Sequence, residues 1–179
     1  ETRMQSTAIA FKPFNSLSDS DCQERIRAAR AKLGKKAVIL CHHYQRADIY
    51  QHADLTGDSL KLSKLAAQTD SEYVVFCGVH FMAEVADIMT APHQIAILPD
   101  LAAGCSMADM ANLAKVERCW RELGEVLNAE AEVTPVTYIN SAADLKAFCG
   151  EHGGIVCTSS NAGTIAEWAF ARRPKVLFF

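Results

Sequence analysis

Short apolar runs alternate along this chain with stretches whose apolar residues recur every three or four positions. The first kind reads as strand and the second as helix. Ser20-Asp21-Cys22-Gln23 has the spacing of a capping box ahead of Ile26, Ala29 and Leu33, with Gly34 as a stop. This predicts an amphipathic helix over 20–33. The apolar run at 37–41, after two lysines, is the pattern of a strand buried on both faces. Further strands are predicted at 73–77, 94–98 (ended by Pro99), 136–139, 155–157 and 175–179. Helices are predicted at 59–67, 81–89, 107–127, 142–148 and 163–171, with Gly124 as a break in the third. Such alternation implies right-handed crossovers and parallel sheets covered on both faces, an α/β fold of three-layer αβα domains.

The alternation also repeats as a unit. Residues 37–44 match 133–140, placing His42 opposite Tyr138 and Tyr44 opposite Asn140. Residues 75–78 match 155–158, and 95–98 match 176–179. The expected organisation is an N-terminal helical segment over 1–35, a first αβα domain over 36–130 and a truncated second one over 131–179.

Composition narrows the function classes. Half of the 179 residues are hydrophobic and 22% are charged, with no unbroken apolar stretch of the roughly 18 residues that a membrane span needs. A net charge of −3, with Lys and Arg scattered, gives no field for nucleic acid. Neither a secretory nor a transit signal is visible in the first thirteen residues, so a cytoplasmic location is expected. Seven cysteines are then reduced thiols or metal ligands, and six of them lie in strand-like or helix-like segments where a thiol packs as a small hydrophobe. Cys105 differs, because it lies in a small-residue loop between Gly104 and Ser106.

In parallel sheets, ligands gather beyond the carboxyl ends of the strands. His42, Tyr44, Tyr138, Asn140, Thr158 and Ser159 all fall at such ends, and one site between the repeats would account for all six. If the strand extends that far, His42 and Tyr44 point to the same side; simple packing is the ordinary alternative. Ser59 and Ser159 precede helices whose free N–H groups favour an anion, although N-capping by itself explains a serine there. Exposed amides around Cys105 are suited to donate to a metal-bound sulfur, but spacing alone offers it no paired ligand.

His42-His-Tyr-Gln45, Gly57-Asp-Ser59, Cys77-Gly-Val-His-Phe-Met-Ala-Glu84, Gly104-Cys-Ser-Met-Ala-Asp109, Tyr138-Ile-Asn-Ser141 and Cys157-Thr-Ser-Ser160 closely resemble, in order, the motifs of quinolinate synthases. The resemblance runs from about Lys36 to the last residue. It implies three similar domains around a pseudo-threefold axis, and an enzyme of NAD biosynthesis. The implied reaction condenses iminoaspartate with dihydroxyacetone phosphate and loses phosphate and water. L-aspartate oxidase is the implied partner, as supplier of iminoaspartate. A 4Fe-4S cluster held by three cysteines is implied as well, with Cys105 matching the first. His42, Ser59, Tyr138, Asn140 and Ser159 would hold substrate, with His42 and Tyr44 catalytic and Tyr44 the candidate for proton transfer. A family member continues beyond Phe179 into the rest of its second domain and a third, so this chain is expected to be a fragment, inactive when isolated. Two other readings compete: a non-catalytic flavodoxin-like module binding a small anion, which would carry no iron, and an iron-sulfur hydro-lyase with another substrate.

Overall fold

The computed structural model describes residues 10–179. Helix α1 (Asp19–Leu33) is capped by Ser18: its hydroxyl accepts the Asp21 N–H at 3.1 Å, and the Asp21 carboxylate accepts the Ser18 N–H at 3.2 Å. The capping box therefore sits two residues earlier than expected, because an aspartate at its third position closes it and Ser20 falls inside the helix. Gly34, at φ 54°, ends the helix as predicted. The amphipathic expectation for α1 is not met, since the helix buries no residue. Polar contacts hold it instead: Gln23 donates to the Asp48 carbonyl at 2.9 Å, and Arg30 donates to the His52 carbonyl and pairs with Asp54.

The chain then runs through β1 (Ala37–His42), α2 (Ala47–Tyr50), β2 (Leu55–Gly57), α3 (Ser59–Ala66), β3 (Tyr73–Cys77), α4 (His80–Met89) and β4 (Ile95–Ile97). A single 3-10 turn at Ala108–Met110 precedes α5 (Leu113–Gly124), so Gly124 marks the end of this helix and not a break within it. After α6 (Ala129–Glu132) come β5 (Val133–Tyr138), α7 (Ala143–Glu151), β6 (Ile155–Cys157), α8 (Ala162–Arg172) and β7 (Lys175–Phe178). All strand pairs are parallel. The fold is α/β with two parallel sheets, ordered β2-β1-β3-β4 and β6-β5-β7.

The residues form two compact units, one ending at Ala103 and the other spanning Gly104–Phe179. The sequence reading put the change of domain at 130/131. Residues 104–130 join the second unit because Val116 and Trp120 of α5 bury themselves with Ala129, Val133, Leu145 and Phe148 in one core. An edge-to-face contact of Trp120 on Phe148, with ring centroids 5.7 Å apart, and an indole N–H bond to Glu130 at 2.9 Å fix that packing. The first unit has its own core, in which Leu40, Phe76, Leu62 and Ala86 are fully buried.

Sheet register redefines the internal repeat. Leu40 stands opposite Leu55 and His42 opposite Gly57; in the second unit Val136 stands opposite Ile155 and Tyr138 opposite Cys157. Ala37 stands opposite Tyr73, and Val133 opposite Lys175. With β1 matching β5, strand β6 therefore matches β2, and β7 matches β3. Pairing 75–78 with 155–158 and 95–98 with 176–179 was one strand out of step: β7 lies against β5, whereas β4 lies against β3 and not β1. The cause is β2, a three-residue strand without an apolar run, which periodicity does not reveal.

Within the second sheet, β6 begins opposite Val136, one residue after Pro135, which has no N–H to give. Gly154 fills the approach. A Cβ there would lie 1.9 Å from the Pro135 carbonyl oxygen, so only glycine lets the two backbones come this close.

Candidate functional site

Strand β1 ends at His42, and the chain turns at once, with Gln45 N–H bonding the His42 carbonyl at 3.0 Å. The strand does not extend to Tyr44 as the alternation argument required. The turn achieves the same result: the His42 and Tyr44 rings lie 3.9 Å apart between centroids, and the Tyr44 N–H reaches His42 Nδ1 at 3.4 Å. His42 is buried, at 6% exposure, while Tyr44 is exposed. Burial foremost, then the neighbouring His43, holds His42 below the usual 6.5, with Asp58 acting weakly the other way. A neutral ring whose Nδ1 accepts a hydrogen bond carries its proton on Nε2. His42 is thus built to donate a hydrogen bond without bringing a charge. The Tyr44 hydroxyl lies 3.9 Å from Met82 Sδ of α4.

Ser59 is the first residue of α3, but the cap is Asp58, whose carboxylate accepts the Lys61 N–H at 2.8 Å. Capping, the ordinary explanation for Ser59, is therefore already supplied by its neighbour. In the matched place of the second unit, Ser159 is exposed and its hydroxyl is hydrogen-bonded to the Tyr138 hydroxyl. It is not a cap either, since α8 starts at Ala162 behind Asn161. By register Ser59 and Ser159 are equivalent, two residues beyond Gly57 and Cys157, each of whose carbonyls accepts the N–H of the residue after a strand tip: His43 at 3.3 Å and Ile139 at 2.8 Å.

Cys105 is half-buried, and its carbonyl accepts the Asp109 N–H at 3.0 Å, closing the loop at the start of the second unit. The Asn140 side-chain amide points at its sulfur, with N and S 3.9 Å apart. The sequence placed Cys105 and Asn140 in separate motifs; the structure brings them together. A half-buried loop thiol with an amide donor facing its sulfur suits one corner of an iron-sulfur cluster, whose thiolates accept such bonds. Among the described residues no three His, Cys, Asp or Glu side chains converge as a metal site. Of the other thiols, Cys41, Cys149 and Cys157 are buried and Cys22 and Cys77 half-buried, as expected of packed residues, whereas Cys119 is exposed on α5 and does not pack as expected. Burial pushes Cys77 up to about 11, with Cys41 contributing, pushes Cys149 up to about 12, and raises Cys41 and Cys157.

Of the residues singled out from the sequence, His42, Tyr44 and Ser59 lie in the first unit, and Cys105, Tyr138, Asn140, Thr158 and Ser159 in the second. Two residues were overlooked. Met82 sits under Tyr44, four residues past Gly78, in a helix that periodicity located without assigning its faces. Asn161 lies just before the predicted helix at 163–171 and drew no notice; the signal for it was the Thr-x-x-Asn spacing at 158–161.

Residues 24–179 match the sequence profile of the family described as Quinolinate synthetase A protein. The chain is 59% identical over 172 residues to the quinolinate synthase of Acidobacterium capsulatum, covering 96% of this chain and 46% of that protein. It is 60% identical over 157 residues to that of a Nocardioides species (87% and 40%) and 58% identical over 164 residues to that of Streptomyces coelicolor (91% and 41%). The chain thus spans under half the length of these relatives.

Proposed function

Because the chain belongs to the quinolinate synthase family, we propose that it contributes substrate-holding and cluster-holding residues to an enzyme that condenses iminoaspartate with dihydroxyacetone phosphate into quinolinate, for NAD biosynthesis. The observation that carries this reading is the register equivalence of Ser59 and Ser159, each two residues past a strand tip and neither used as a cap. Small hydroxyls at twin positions, one of them at the first residue of α3, suit the carboxylates and phosphate that these substrates bear.

Neutral His42 donates from Nε2 to a substrate oxygen, and Tyr44, stacked on it and open to solvent, moves the proton. Tyr138, bonded to Ser159, orients that serine, and Asn140 donates to substrate or to the Cys105 sulfur. Cys105 would hold one corner of a 4Fe-4S cluster, which when bound would supply a Lewis-acidic iron for dehydration. A cytoplasmic location belongs to the same proposal; among the described residues no helix is long and apolar enough to cross a membrane.

The test is Cys105→Ser in the whole enzyme. An alkoxide replaces a thiolate poorly, so iron content should collapse and quinolinate formation fall by about 100-fold or more, with the fold retained. Wild-type iron and turnover in that variant would remove Cys105 from the ligand set.

A further inference from the structure

We infer that Asn161 is a positioning residue for Ser159, acting through Thr158; the inference rests on the substrate-binding reading of Ser159 given above. Asn161 occupies the position before α8, where an asparagine usually caps the helix, yet its side chain caps nothing in α8. It turns back. Its side-chain oxygen accepts the Thr158 N–H at 2.7 Å and the Thr158 hydroxyl at 3.0 Å, and its own N–H returns to the Thr158 carbonyl at 3.2 Å. Both partners of the oxygen are donors, which fixes the orientation of the amide. Having donated to Asn161, the Thr158 hydroxyl accepts from Ser160, whose Oγ lies 3.0 Å away. The residues on either side of Ser159 are therefore tied into one ring of bonds, and Ser159 is left exposed at its tip, against the Tyr138 hydroxyl.

The first unit offers the matching turn for comparison. There the matched pair of positions is closed by the carboxylate of Asp58, accepting the Lys61 N–H. An aspartate at 161 would offer the same acceptor geometry, as the Asp58 carboxylate does one residue before Ser59.

The experiment is a mutant cycle in the whole enzyme, read as KM and kcat. Ser159→Ala first identifies the substrate whose KM depends on this hydroxyl. Asn161→Ala should raise that same KM about tenfold while kcat stays within about threefold, and the double variant should be no worse than Ser159→Ala alone. Asn161→Asp, which keeps the acceptor, should leave the same KM within about threefold of wild type. Should Asn161→Ala fail to fold, Thr158→Val removes one donor of the ring and is read in the same cycle. An unchanged KM in Asn161→Ala, or effects that simply add to those of Ser159→Ala, would overturn the positioning role and leave Ser159's own role standing. If Ser159→Ala itself moves no KM, both readings fall.

Discussion

The turn from β2 into α3 and the turn from β6 into α8 stand at matching places in the two sheets, yet they are closed in opposite directions. At 58–61 the earlier residue's side chain reaches forward to the later residue's N–H; at 158–161 the later residue's side chain reaches back to the earlier one's N–H. The backbone frame is the same and the polarity of the lock is reversed. The strand tips differ in kind as well: the first unit ends β1 in a buried, neutral imidazole stacked on a tyrosine, and the second ends β5 in a half-buried phenol bonded to a serine. A duplicated frame thus fixes where a side chain is presented, while the local bonding decides what it does there.

The two serines test that comparison most sharply. Ser59→Ala and Ser159→Ala should each raise a substrate KM roughly 10- to 100-fold, the worth of a hydrogen bond to a charged group. Neither is a cap, so each should leave folding stability within roughly 0.5 kcal/mol of wild type. Denaturant unfolding and steady-state kinetics on the same samples separate the two effects. A large loss of stability with unchanged KM would make the serines structural.

The reversed lock predicts a smaller, asymmetric effect on stability. Asp58→Ala removes the cap of α3 and should cost about 1 kcal/mol, whereas Lys61→Ala keeps the N–H that the cap uses and should cost under about 0.5 kcal/mol. Equal losses in thermal or urea unfolding would contradict the assignment of Asp58 as cap.

Acid should separate the units too. In the first, His42 and His52 are both held below 6.5, chiefly by burial, and for His52 also by Arg27 and Arg30. Such a histidine binds fewer protons folded than unfolded, so its stability contribution is complete above about pH 6.5 and is lost as pH falls from there through the lowered value. In the second unit Glu130 is held below 4.5, foremost by the Trp120 indole N–H, so its contribution is lost only below about pH 4.5. Hydrogen exchange followed from neutral pH downward should show β1 amides opening before β5 amides, with His42→Asn reducing the difference. Simultaneous opening would count against this account.

The smallest effect concerns the strand interiors. Thr137 matches Cys41 in register, and its hydroxyl is buried with no hydrogen-bond partner among the described residues. Thr137→Val should therefore be neutral or stabilise by up to about 1 kcal/mol. Thr134→Val, which loses a bond to the Ala169 carbonyl at 3.1 Å, should cost about 1 kcal/mol. Calorimetry of the pair gives the sign directly.

Much of this protein was legible in its sequence. The apolar runs located six of the seven strands among the described residues and the periodic stretches located the main helices, because burial imposes those periods residue by residue. The strand-tip positions of His42 and Tyr138, and the exceptional loop of Cys105, followed from the same local reading. Tertiary structure alone decided what depends on partners far apart in the chain. It placed β7 beside β5, brought the short β2 into the first sheet, assigned α5 to the second unit through Trp120, and set Asn140 against Cys105. A strand carries its own pattern of buried faces, but not the identity of its neighbour. That choice is made when backbone hydrogen bonds and side-chain volumes are satisfied over the whole sheet at once.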